Sequence, residues 1–329
     1  MSTGLSSLIK ESLSRVRSLK DIQLMSLAKS VSVLTPGDKK ALHVLRSEAC
    51  RRGRLLDEQR GVYDGAHGQR NIAIAWENRM CMVVDKPQGM VVSLDGDLDE
   101  SSAQKFKSKG KSPELNQVLS QDFPGIPIFS DSSFAHGILH RLDRDTTGAL
   151  LVAKTFQSFF DLRMQFAAGM VGKEYTCLVE GTPGKLGEWN TINRRIETRK
   201  FVGVEKNLSF TSKVVEEGGN HARTDFMPVA TFRRKQTPRN LVSLIRIRLF
   251  TGRTHQIRVH MASEKHPLIF DDKYGNGHPS AKFFLHAHKL SFMNPQSELE
   301  ENVDVEVPIP PRMQDFMGTE LELVDGLPA

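Results

Sequence analysis

The run Gly148-Ala149-Leu150-Leu151-Val152-Ala153 is aliphatic and uncharged. A run of that length and composition, entered through a glycine, reads as a strand buried on both faces. Immediately before it, within eight positions, stand His140, Arg141, Asp143, Arg144, Asp145, Thr146 and Thr147. The polar cluster is therefore predicted at the mouth of a core strand, where a rigid scaffold can fix an acid and a base. A charged turn is the plain alternative for such a cluster.

A second concentrated stretch, Leu249 to Met261, follows another strand pattern and holds Gly252, Arg253, Thr254, His255, Gln256, Arg258 and His260. Two such clusters, 110 residues apart from Asp143 to Arg253, converge if their strands are neighbours, and Arg253 or Arg258 then meets Asp143. Asp143, flanked by Arg141 and Arg144, reads either as a carboxylate held ionised by cations and poised as a nucleophile or as one half of a structural ion pair.

The remaining patterns place these clusters. Helical periodicity runs from Ser6 to about Gly53, broken near Thr35-Pro36-Gly37, with a second helix over Asp38–Arg52 and a linker through Gly61, Gly65 and Gly68. Short strands are predicted at Met80–Asp85, Glu174–Val179, Leu241–Leu249 and Phe283–Phe292, helices at Phe156–Ala168 and His255–Met261, and an antiparallel excursion over 183–240. Residues 94–118, with lysines at 105, 107, 109 and 111, read as an exposed loop. Strands outnumber helices after residue 76, so the expected fold class is α+β, a mixed, mainly antiparallel sheet with flanking helices.

Charge is unevenly spread. Residues 1–75 carry 13 Lys/Arg against 7 Asp/Glu, residues 296–329 one against nine, and the net charge of the chain is +6. A basic body suits a polyanion such as nucleic acid. The expected organisation is a separate basic extension at 1–75, a catalytic domain at 76–312 and a peripheral acidic tail at 313–329. The first 22 residues fit either a transit peptide or a basic amphipathic helix, so the compartment is read as cytoplasmic or organellar. No apolar segment approaches the roughly 18 residues of a transmembrane helix.

Several chemistries lose their support. Neither a GxGxxG nor a GxxxxGK[ST] phosphate loop occurs. The histidines at 136 and 140, or 286 and 288, lack a third ligand at zinc spacing. Cys50, Cys81 and Cys177 are scattered and read as buried thiols. A hydrolase using Asp143 and Asp145 lacks any fixed separation between them.

The two clusters together resemble the RluA-type pseudouridine synthases. The family's HRLDxxTSG is matched by His140-Arg141-Leu142-Asp143-Arg144-Asp145-Thr146-Thr147-Gly148, its tyrosine block by Lys173-Glu174-Tyr175-Thr176, and its arginine block by Thr251 to His260. Lys86-Pro87-Gln88-Gly89 resembles the opening KPxG, and His266-Pro267, Asp271, Tyr274-Gly275 and Leu285-His286-Ala287 complete the order. Where the family has glycine before the His-Pro pair and before the following aspartate, this chain has Lys265 and Phe270.

The resemblance implies isomerisation of uridine to pseudouridine in structured RNA, rRNA or tRNA, by a chain expected to act as a monomer. It implies Asp143 as nucleophile, Arg253 holding its carboxylate and Tyr175 stacking on the base. Arg141, His140, Thr146, His255, Gln256 and Arg258 then fall to substrate binding, with Arg194, Arg195, Arg233 and Arg234 as phosphate contacts. No metal or organic cofactor is implied, because the reaction is redox-neutral. The alternative is an RNA-binding or ribosome-associated protein that keeps the fold without the chemistry.

Overall fold

The computed structural model describes residues 15–34, 38–61, 70–93, 113–202, 208–277, 281–297 and 301–327. Residues 1–14 of the expected leader over the first 22, most of the glycine linker and the lysine run at 105–111 lie outside them.

Two helices, α1 (Asp21–Leu34) and α2 (Lys39–Arg60), come first. Strands β1 (Ala73–Glu77) and β2 (Cys81–Lys86) follow, then α3 (Leu115–Asp122), β3 (Thr147–Ala153), α4 (Phe156–Ala167) and β4 (Gly172–Glu180). The excursion is β5 (Asn190–Asn193), β6 (Arg195–Val202) and β7 (Leu208–Val215), returning as β8 (Arg223–Arg234) and β9 (Leu241–Leu249). The chain closes with α5 (Gln256–Ser263), β10 (Leu285–Met293), β11 (Asn302–Glu306), α6 (Pro311–Glu320) and β12 (Leu321–Gly326).

Ten strands form one sheet in the order β1-β2-β3-β10-β4-β9-β8-β12, with β11 on β10 and β5 on β8. The pairing of β3 with β10 is parallel and the others are antiparallel. The expected mixed, mainly antiparallel α+β architecture is the one observed. Strand β3 is central, and its six residues from Gly148 onward are buried. Gly148 has φ +106°, and a Cβ there would lie 2.3 Å from the Ala287 carbonyl oxygen. Only glycine allows β10 to come this close.

The N-terminal segment does not stand apart. Leu24, Ala28 and Val31 of α1 and Leu45 and Ala49 of α2 are fully buried in the same core as β2, β3 and α4. Each buried Leu or Val contributes about 1.5–3 kcal/mol, enough to make the docking integral. Gly53 is where α2 crosses α4, since a Cβ there would fall 2.2 Å from Gln157 Cα. The helix therefore runs through Gly53 to Arg60, beyond its expected end at Arg52. The Asp57 carboxylate accepts the backbone N–H of Phe156 (2.8 Å) and Gln157 (2.9 Å), capping α4 from outside.

Two further stretches are more ordered than their polarity suggests. Leu115, Val118 and Leu119 give α3 a buried face that begins inside the loop expected over 94–118. In the acidic tail, Met313 and Leu321 are buried, and β12 pairs with β8 from Arg234 to Ala230. The tail thus forms the edge of the main sheet. Among the described residues no helix is long and apolar enough to cross a membrane.

The two residues that replace family glycines both have positive φ, Lys265 at 67° and Phe270 at 62°. Lys265 follows α5 in a Schellman arrangement, its N–H bonded to Ala262 O (3.0 Å) and the His266 N–H to Met261 O (2.9 Å). That position favours glycine. Lys265 is exposed, so Lys265→Gly is expected to raise stability by about 1 kcal/mol. Phe270 differs because its ring packs at 5.4 Å from Phe316 of α6 and 6.1 Å from Phe284. Phe270→Gly is expected to lower stability, since truncating a packed Phe costs about 3–5 kcal/mol. Urea denaturation of both variants checks the opposite signs.

Candidate active site

The loop before β3 is clamped by Lys86 at the end of β2. Its fully buried ammonium donates to the carbonyls of Pro87 (3.0 Å), Met90 (2.9 Å) and Arg144 (3.0 Å). Burial pushes its pKa down to about 8, against the pull of Asp145, Asp143 and Asp85. The Gly89 N–H donates to the same Arg144 carbonyl at 2.9 Å. His140 fixes the loop's other end by accepting the Leu151 N–H at its Nε2 (3.0 Å), with its ring tilted against Phe166. Burial pushes this histidine down to about 3, so it is a neutral acceptor. Thr147 and His286 join β3 to β10 through a 2.8 Å contact.

The second cluster does meet the first. Arg258, on the first turn of α5, is buried and forks onto Asp271 with Nε–Oδ2 at 2.7 Å and Nη2–Oδ1 at 2.8 Å. Its remaining Nη1 lies 3.6 Å from Asp143 Oδ2. The guanidinium packs over the rings of Phe283 (4.3 Å) and Tyr274 (5.1 Å). Asp271 is fully buried, which works against its charge. The Arg258 fork and the N–H groups of Tyr274 and Lys273 outweigh burial and hold its pKa below the ordinary carboxylate range. A pre-oriented cation thus presents one free edge to Asp143.

The expectation that Arg253 holds Asp143 is corrected by this geometry. Arg253 precedes α5, and its Nε donates instead to the His221 carbonyl at 3.1 Å. Gln256 is a brace: its amide accepts from Thr251 Oγ1 (2.8 Å) and Arg253 N (3.0 Å) and donates to Arg223 O and Thr224 Oγ1 (both 3.0 Å). His255 has φ 54° and shares a 2.7 Å contact with the Tyr274 hydroxyl, which also accepts the Ser212 N–H of β7 (2.8 Å). Tyr274 therefore ties the excursion to the start of α5. Its role, like those of Asp271 and Lys86, was visible in the sequence only as part of an ordered motif set.

Tyr175 points from β4 into the same cleft. Burial, then the charge of Asp143, push its hydroxyl pKa up, so the phenol is held neutral. The Thr146 hydroxyl is buried in the cleft wall and has no hydrogen-bond partner among the described residues. The cleft measures about 680 Å³ and is also lined by Arg141, Lys173, His221, Phe250 and Arg253.

The four arginines expected on phosphates do not line the cleft. Arg194 lies 3.6 Å from Glu264, Arg195 donates to the Gly219 carbonyl (3.0 Å), and Arg234 to Glu180 (2.6 Å). Arg233 is exposed on β8 opposite Glu322 of β12.

The family model for RNA pseudouridylate synthase matches residues 80–263, the span from β2 through α5. The ribosomal large subunit pseudouridine synthase D of Zymomonas mobilis is 32% identical over 251 residues, covering 72% of this chain and 69% of that protein. The protein of the same description from Neisseria meningitidis serogroup B is 33% identical over 267 residues, 77% of this chain and 62% of its own. The solved human RNA pseudouridylate synthase domain containing 1 covers 81% of this chain and 94% of its own, with a TM-score of 0.57 at 23% identity, a likeness of fold. With that match over the strands and helix that build the cleft, the chain belongs to the RluA-type family of RNA pseudouridine synthases.

Proposed function

We propose that the chain converts specific uridines to pseudouridine in structured RNA, with Asp143 as the nucleophile. The observation that carries this reading is the Asp143–Arg258–Asp271 relay, which presents one half-buried carboxylate to a cleft beside Tyr175. The reaction breaks the bond from uracil N1 to the sugar C1′ and forms one from C5 to C1′. A proton leaves C5 and one is gained at N1, so no electrons enter or leave.

In this reading Arg258 orients the Asp143 carboxylate, and its fork on Asp271 keeps it from collapsing onto the nucleophile. Tyr175 offers an aromatic face to the base, held neutral by burial. The unpartnered Thr146 hydroxyl is left for a polar edge of the substrate. The target base must leave its stack to reach Asp143, and exposed Arg141 at the cleft mouth stands where it can occupy the vacated space.

Phe250 also lines the cleft and is 53% exposed, with the Arg223 guanidinium 4.5 Å over its ring. It suits a neighbouring unstacked base. Phe250→Ala is expected to weaken RNA binding by about 1–3 kcal/mol, read by titration of a labelled substrate RNA.

The alternative of a fold without chemistry takes its motive from Lys265 and Phe270. Neither lines the cleft, and both are accommodated in caps and packing behind it. The relatives' names direct the substrate search to large-subunit ribosomal RNA first. Pseudouridine mapping across cellular RNA with and without the protein tests the reading. Loss of defined sites supports it, and an unchanged map contradicts it.

A further inference from the structure

The family match begins at residue 80, yet the catalytic cleft has a wall that comes from well before it. Lys29, Ser32 and Val33 of α1 line the cleft together with the segment Phe166–Gly169, His140 and Lys173. The helix is a rigid wall for a physical reason. Leu24, Ala28 and Val31, spaced at four and three residues, are fully buried on one face. The Ser32 hydroxyl adds a 2.5 Å hydrogen bond to the Ala168 carbonyl just past α4. The neighbouring face is turned to the cleft, with Lys29 exposed and Val33 67% exposed.

In the same cleft, the ammonium of Lys173 sits 5.8 Å from the Phe166 ring centre and has no carboxylate partner among the described residues. Both cations line a cleft whose one lining carboxylate, Asp143, is already paired with Arg258, which leaves its positive charge unbalanced. Its complement is an anion carried on the substrate.

We propose that α1 is part of the RNA-binding surface, with Lys29 and Lys173 taking backbone phosphates of the strand that flanks the target uridine. The proposal rests on the RNA reading above and deepens it. Burial pushes Lys173 down to about 8, consistent with an ammonium whose counter-charge arrives with the ligand. Continuity with the cleft and the sign of its charge favour a nucleic-acid strand over a protein partner.

The test uses the full chain and a short fluorescein-labelled oligouridylate as probe, with Kd measured across a range of salt. Lys29→Ala is expected to raise Kd several-fold at low salt and to lower the slope of log Kd against log salt by about 0.7, one phosphate contact on a single strand. Lys29→Glu should go further in the same direction. Lys40→Ala, an exposed lysine on α2 that does not line the cleft, should match wild type.

An unchanged slope for Lys29→Ala, or an equal loss for Lys40→Ala, overturns the proposal. In the first case the exposed side of α1 becomes a candidate surface for a protein. Pseudouridine formation is assayed separately. A protein that binds with the expected slopes but forms no product sinks the isomerase reading and leaves the wall standing.

Discussion

Asp143→Asn is expected to abolish pseudouridine formation, by more than about a thousandfold in single turnover, while RNA affinity stays within about threefold. The substitution is nearly isosteric, and the loop that carries it is held by other groups: the Lys86 ammonium on the Arg144 carbonyl and the His140 ring on the Leu151 N–H. An amide can still accept from Arg258, but it cannot supply the electron pair of a carboxylate. Release of tritium from C5 of labelled uridine reads the chemistry, and filter binding reads the affinity. Equal loss of both would mean that Asp143 holds the RNA or the fold and makes no bond.

Arg258 is expected to matter to both fold and chemistry, and the two can be separated. Arg258→Ala leaves Asp271 buried and unpaired, which costs about 3–5 kcal/mol. Burial resists the charge on Asp271, and the Arg258 fork and backbone N–H groups hold its folded pKa below the ordinary range. The stability from this pair is therefore complete above the ordinary carboxylate range and is lost as pH falls through the folded value. The deficit of Arg258→Ala should shrink correspondingly in acid. Arg258→Lys keeps the charge but not the planar fork, and a shift of about 1 Å at Asp143 is expected to cost roughly a hundredfold in rate. Replacing both residues with apolar ones of similar volume, Arg258→Met with Asp271→Leu, should recover much of the stability and none of the activity. Recovery of activity in that double variant would remove Arg258 from the site.

Why Arg258 and not Arg253 faces Asp143 shows where local pattern stops. Both lie in the same ten-residue block, where the residues alone left either open and only the family pattern pointed to Arg253. The choice is made by helical phase. Helix α5 starts at Gln256, so Arg258 turns inward on its first turn while Arg253 stays in the preceding loop. The deciding partner, Asp271, is beyond the helix and is brought back by the turn through Lys265 and His266. Local pattern carries no information about that return.

Other elements were legible because their signal is local. Strand β9 spans Leu241–Leu249 as its alternation predicts, and the aliphatic run at Gly148 does form the centre of the sheet. The acidic tail was misjudged because pairing of β12 with β8 joins residues about ninety positions apart, and an edge strand needs only one apolar side. Helices α1 and α2 were read correctly as helices, but periodicity says that a face is buried and not against what. Gly53 looked like a helix stop, yet it marks a close crossing with α4.

The most direct measurement is nucleoside mass spectrometry of purified ribosomal, transfer and messenger RNA after incubation with the wild-type chain. Pseudouridine has the same mass as uridine and a carbon–carbon glycosidic bond that survives fragmentation, so product and substrate separate cleanly. A gain of pseudouridine matched by an equal loss of uridine is expected, absent with Asp143→Asn. Wild-type protein that binds these RNAs through the cleft and converts no uridine in any of them would contradict it.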